Sequence, residues 1–183
     1  FNLCALCFFA VKNALNMNLN FKEFGNGFPV VILHGLLGSL DNWQTIARRI
    51  SENSPFKTYI IDQRNHGKSP HTDEFSYELL SADLKEFFAQ HGIARAHLIG
   101  HSMGGKTAMK FALENPDLVD KLIVVDITPS EAEDHHTYIF EALEVADVTH
   151  AVTRDAVEKV LRSGIGDDNA TIQFLMKGLQ RDN

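Results

Sequence analysis

The sequence predicts an α/β domain: a mostly parallel sheet with helices on both faces and a helical layer at the C-terminal end. Three observations carry that prediction. Between residues 29 and 126, short β-branched apolar runs alternate with segments of helical period, the order expected of parallel strands joined by crossover helices. Ser102 lies in Gly100-His101-Ser102-Met103-Gly104-Gly105, directly after an apolar run and directly before a helical pattern. After Pro129 the texture changes, and only helix-like segments follow.

In chain order, Leu3 to Val11 is continuously apolar but too short to span a bilayer. It has neither the basic flank nor the small-residue cleavage site of a signal peptide, so residues 1–17 read as an extension outside the domain. Leu19–Phe24 alternates loosely and ends in the turn signal Gly25-Asn26-Gly27. Pro29–Leu33 follows as an apolar run, so the two segments are expected to form a hairpin. His34-Gly35-Leu36-Leu37-Gly38-Ser39 is a glycine-punctuated loop. Asp41 is expected to cap a helix carrying Trp43, Ile46, Ala47 and Ile50 at helical spacing. Lys57–Ile61 is a third strand and Asp62–Pro70 a polar loop. Phe75–Gln90 is a helix with Leu79, Leu80, Leu84, Phe87 and Phe88 on its apolar face, stopped at Gly92. Ala96–Ile99 is a strand, Ser102–Glu114 a helix ending before Asn115-Pro116, and Leu122–Val125 a buried strand ending at Asp126. Glu131–Ala146, Arg154–Arg162 and Thr171–Leu179 are helical. Residues 18–129 are thus expected to form the core and 130–183 a helical cap.

Composition narrows the function. The 183 residues carry 44% hydrophobic and 22% charged side chains, enough for one compact domain. The net charge of −7 and the absence of a basic block give no footprint for nucleic acid or an anionic membrane surface. Cys4 and Cys7 form a C-x-x-C without a second Cys/His pair, and read as two incidental thiols rather than a redox pair or half a zinc site. A core without cysteines fits a reducing, cytoplasmic setting.

The chemistry centres on Ser102. In a G-x-S-x-G turn between strand and helix, the serine is strained and its hydroxyl is lifted above the sheet edge. Side chains at Gly100 or Gly104 would collide with the packed helix and strand. Asp126, at the end of the next strand, could orient a histidine and stabilise its charged form; it could also simply cap the turn at Thr128-Pro129. His135 and His136, with Glu131, Glu133 and Asp134, lack metal-ligand spacing and read as a solvated helix, so no metal and no cofactor is expected.

Three motifs stand in order: His34-Gly35-Leu36-Leu37-Gly38-Ser39, Asp62-Gln63-Arg64-Asn65-His66-Gly67-Lys68-Ser69, and Gly100-His101-Ser102-Met103-Gly104-Gly105-Lys106. Together they resemble the α/β-hydrolase superfamily, and more narrowly the small YbfF-type esterases and their mitochondrial relatives. The resemblance implies an eight-stranded sheet, a helical cap inserted after the sixth strand, and cofactor-free hydrolysis of a small-molecule acyl ester or thioester through an acyl-enzyme. It implies Ser102 as nucleophile, the Leu36 and Met103 N–H groups as oxyanion hole and a structural role for His34; the triad acid is Asp126 or, as in much of the superfamily, an acid after the seventh strand. Leu37, Asn65, His101 and Phe140 are then expected to face the substrate. Phe140, Leu143, Val157, Leu161, Phe174 and Leu175 would line the underside of the cap. On the residues alone, Asn65-His66 also reads as a self-bonded loop, and His101 as a side chain packed beneath the turn. The resemblance puts the base histidine after the last strand, whereas the last histidine here is His150, in the expected cap. The chain is therefore expected to be incomplete, to leave the Leu122–Val125 edge bare and apolar, and to be weak or inactive alone. C–C bond hydrolysis, haloperoxidase-like and lyase chemistry share these motifs, as does a non-catalytic ligand-binding domain.

Overall fold

The computed structural model describes residues 17–130, 137–146 and 153–179. Among these residues five strands form one sheet: β1 (Phe21–Phe24), β2 (Phe28–Leu33), β3 (Phe56–Ile61), β4 (Ala96–His101) and β5 (Val119–Val125), in the order β1-β3-β2-β4-β5. β2 to β5 run parallel, and β1 is antiparallel to β3. The expected hairpin between the first two strands does not form. β2 buries Val30, Val31, Ile32 and Leu33, the pattern of an interior strand, and its two ladders go to β3 and β4. β1, with Lys22 and Glu23 exposed, suits an edge. The turn between them swings the chain aside at Gly27 (φ 122°), where a Cβ would lie 2.2 Å from the Pro55 carbonyl oxygen.

Side chains alternate between the two faces of the sheet. On one face Val31, Leu33, Tyr59, Ile61 and Leu98 pack with Leu84, Phe87 and Phe88 of α2 (Tyr77–Gln90) and Ala108 and Phe111 of α3 (Met103–Glu114). On the other, Val30, Ile32 and Ile60 pack with Leu40 and with Ala47 of α1 (Gln44–Asn53). The helix starts differ from expectation by local chemistry. Ser76, not Phe75, opens α2, its hydroxyl accepting from the Leu79 N–H at 3.3 Å. Asp41 does not cap α1; it lies in a short 3-10 turn, Leu40–Asn42, and its carboxylate meets Lys22 Nζ at 2.8 Å. Trp43 then precedes α1, and Ile46 is exposed, so the apolar face of that helix is narrower than its spacing suggests.

α4 (Thr137–Val145), α5 (Arg154–Ile165) and α6 (Asn169–Gly178) share a separate apolar cluster that includes Ile139, Val157, Leu161, Ile172 and Leu175. Leu37, in the loop after β2, packs against that cluster. β5 begins three residues before the expected Leu122 and is not buried. Among the described residues it pairs only with β4, which leaves Leu122 38% and Ile123 50% exposed. Beside it, Leu113 on α3 is 84% exposed, so this side of the sheet is apolar and uncovered among the described residues. No helix among the described residues is long and apolar enough to cross a membrane. Cys4, Cys7, Glu131, Glu133, Asp134, His135, His136 and His150 lie outside the described residues.

Candidate active site

The site is built where the parallel strands end. Four non-glycine residues have a positive φ among the described residues: Leu37 (57°), Asn65 (62°), Ser102 (50°) and Asp126 (56°). They follow β2, β3, β4 and β5 in turn, one for each parallel strand. Left-handed backbone at a side chain with a Cβ costs about 1–3 kcal/mol and persists only where the surroundings hold it. Strain is thus gathered along one end of the sheet, where open α/β sheets bind their ligands.

Ser102 occupies a sharp turn, with φ 50° and ψ −116° between β4 and the first residue of α3. Its N–H donates to the Val125 carbonyl at 3.0 Å, which ties the turn to β5. The flanking glycines permit the turn. A Cβ on Gly100 would lie 2.3 Å from the Gly104 carbonyl oxygen, and one on Gly104 would lie 2.5 Å from the carbonyl oxygens of Leu33 and His34. These are backbone atoms that have no room to yield. A Cβ on Gly35 would touch the Ser102 Cβ at 3.4 Å, so the loop after β2 passes directly over the serine. Neither the Leu36 nor the Met103 N–H has an acceptor among the described residues, and Ser102 Oγ has no hydrogen-bond partner there. Met103 is also at the N-terminus of α3, where the helix dipole favours negative charge.

His101 and Asp126 come together at the ends of β4 and β5. His101 Nε2 stands 3.7 Å from Asp126 Oδ2, with side-chain exposures of 39% and 85%. His101 is therefore not packed beneath the turn: its ring faces Asp126, borders Gly35 and lies 6.4 Å from the Trp43 ring. Asn65 bonds to its own loop, Nδ2 donating to the Thr72 carbonyl and Oδ1 accepting from the Thr72 N–H. It also lines a cavity of about 450 Å³, together with Leu37, His66, His71, Phe174 and Lys177. Ser102 does not line this cavity; Leu37 belongs both to its wall and to the loop over the serine. Phe140 is not brought there. It is 43% exposed on α4, because α4 turns Ile139 and Ala142 into the helical cluster instead.

Sequence reasoning missed how the loops after β2 and β3 are fastened together. Gln63 N–H donates to His34 Nε2 at 3.0 Å, Gln63 Nε2 donates to the His34 carbonyl at 2.7 Å, and Leu37 N–H donates to His66 Nε2 at 3.2 Å. Asp62 Oδ1 accepts from the Leu40 N–H at 2.7 Å. Arg64 anchors the same loop to α2 through two 2.6 Å bonds to the Asp83 carboxylate, both side chains buried. Burial lowers the pKa of His34 to about 4 and pushes that of His66 down. The only signal in the sequence was a histidine in each of two motifs that follow neighbouring strands.

The alpha/beta hydrolase fold family model matches residues 29–172. The chain belongs to that family. The sn-1-specific diacylglycerol lipase ABHD11 of Danio rerio is 39% identical over 95% of this chain, which covers 57% of that protein. Esterase YbfF of Escherichia coli strain K12 is 35% identical over 83% of the chain, and 59% of that protein is covered. A solved structure of a marine microorganism esterase, 42% identical, superposes with a TM-score of 0.86 over 91% of this chain and 66% of that one. This alpha/beta hydrolase chain therefore spans about half to three-fifths of the length of these curated relatives.

Proposed function

We propose that the protein hydrolyses carboxylic esters or thioesters through an acyl-enzyme on Ser102. The observation that carries this reading is the Ser102 backbone: a non-glycine residue at φ 50° and ψ −116°, overhung by the Gly35–Leu36 loop, with unused amides on both sides. In this reading Ser102 Oγ attacks the acyl carbon while its proton passes to a general base. The Leu36 and Met103 N–H groups hold the oxyanion, each worth about 10²–10³ in rate. The tetrahedral intermediate collapses by breaking the C–O or C–S bond, and the leaving group takes up the proton. Water then attacks the acyl carbon, releasing the acid and restoring the hydroxyl.

Asp126 is the acid that orients the base, and its exposed carboxylate at the end of β5 supports that role. The base follows from the family resemblance, which puts it after a later strand. Residues 18–129 act as the core and 130–183 as a cap over the site. Leu37 and Asn65 wall the cavity that receives one end of a small-molecule substrate, and His101 borders the nucleophile. The names of the zebrafish and Escherichia coli relatives, a lipase and an esterase, support ester hydrolysis. A core without cysteines supports a cytoplasmic setting.

The test uses the protein in its full cellular form. Hydrolysis of p-nitrophenyl esters and labelling by a fluorophosphonate are both expected to vanish in Ser102→Ala. Undiminished hydrolysis in that variant would refute the reading.

A further inference from the structure

We propose that His66 is a positioning residue for the oxyanion loop: its neutral imidazole holds the Leu37 amide, and protonating it releases the loop that carries the Leu36 amide. The kinetic part of this inference rests on the serine hydrolase reading above; the structural part does not.

The hydrogen bonds fix both tautomers. An imidazole nitrogen that accepts an N–H carries no proton. His66 Nε2 accepts from Leu37, so its proton is on Nδ1, which donates to the Arg64 carbonyl at 2.9 Å. His34 is the mirror of this arrangement. Its Nδ1 donates to the Gly35 carbonyl at 2.8 Å and its Nε2 accepts from Gln63 N–H. Each loop thus lends an imidazole to a backbone amide of the other, and the two rings lie 5.1 Å apart. Leu37 needs the restraint, because it sits at φ 57° directly after Leu36. In the same turn Gly38 N–H donates to the Gly35 carbonyl at 3.0 Å.

A proton on His66 Nε2 would set an N–H against the Leu37 N–H, two donors with no acceptor between them. The groups around His66 give such a proton little support. Burial and His71 disfavour it, while the Arg64 carbonyl and Asp62 favour it. Asp62 is already engaged by Leu40 N–H, Lys68 N–H and Asn20 Nδ2. The Arg64 guanidinium is committed to Asp83, and the Phe75 ring, 6.2 Å away, is uncharged. Across the cavity stand Lys177 on α6 and Asp41 on the 3-10 turn.

Two variants separate the acceptor from mere packing. His66→Leu fills the space without an acceptor. His66→Gln supplies an amide oxygen for Leu37 and an amide N–H for the Arg64 carbonyl, and does not titrate. Phosphonylation of Ser102 by a fluorophosphonate, which displaces fluoride, is expected to slow about 10- to 100-fold in H66L, through the maximal inactivation rate rather than the half-saturating probe concentration, and to recover to within about fivefold of wild type in H66Q. The ratio of the wild-type to the H66Q rate is expected to fall as pH drops through the His66 titration, a comparison in which the titration of the general base cancels. By NMR, the Leu37 amide resonance is expected to follow His66 protonation in wild type and to stay fixed in H66Q. A wild-type phosphonylation rate in H66L, equal loss in H66Q and H66L, or a Leu37 amide indifferent to His66 would each overturn the proposal. If Ser102 of the wild-type protein in its full cellular form does not react at all, the hydrolase reading fails by itself, and the amide titration still decides for or against the clasp.

Discussion

Acidification should weaken this fold through His34, by an amount the structure sets. The ring is 1% exposed, and its pKa falls from 6.5 to about 4. Burial is the main cause; the Gly35 carbonyl works against it, and the nearby His66 lowers the value further. In the unfolded chain the imidazole returns to its ordinary value. Between those two values the unfolded state binds more protons than the folded state, so stability rises with pH across this window. The His34 contribution is whole above about pH 6.5 and is lost as pH falls toward 4. The difference of about 2.5 pK units corresponds to about 3 kcal/mol, a large part of the 5–15 kcal/mol typical of a domain. With a urea m-value of ~2 kcal/mol/M, the midpoint should move down by about 1.5 M between pH 7 and pH 4 beyond whatever the carboxylates contribute. The assay is a set of urea melts across that range on wild type and on His34→Gln, which keeps an acceptor for the Gln63 N–H but does not titrate. The baselines will differ, so the slopes against pH are compared. Parallel slopes would refute the claim that His34 is held neutral at a cost.

Three further outcomes are expected. Ser102→Gly should raise stability by about 1–2 kcal/mol in urea melts while abolishing fluorophosphonate labelling, because glycine adopts φ 50° without strain; an unchanged or lower midpoint would argue against stored strain. Gly104→Ala should cost about 3 kcal/mol or prevent folding, since its Cβ would lie 2.5 Å from two carbonyl oxygens; a melt within 1 kcal/mol of wild type, on the scale of an ordinary surface substitution, would contradict the close packing. Arg64→Met should cost about 3–5 kcal/mol by stranding the buried Asp83 carboxylate, and Arg64→Met with Asp83→Leu should recover most of that loss. A double variant no better than the single one would mean that the loss comes from loop packing rather than an unpaired charge.

What the sequence determined by itself was local. Glycines at 100 and 104 around Ser102, a strand run before it and a helical period after it specify a turn, because backbone conformation and side-chain period are written in neighbouring residues. Strain at Ser102 was legible for the same reason; Leu37, Asn65 and Asp126 were legible as site residues after recognisable strands, but their left-handed backbone came only from the structure. The tertiary structure decided the pairings. β1 joined β3 because β2 is buried on both sides, a competition that no window of the sequence contains. Asp41 went to Lys22, Phe140 to solvent and His101 to Asp126, each set by a partner distant in the chain or across the sheet. The clasp between His34 and His66 belongs to this second class: side chains 32 positions apart meet only when two strands lie side by side and their loops leave the sheet together.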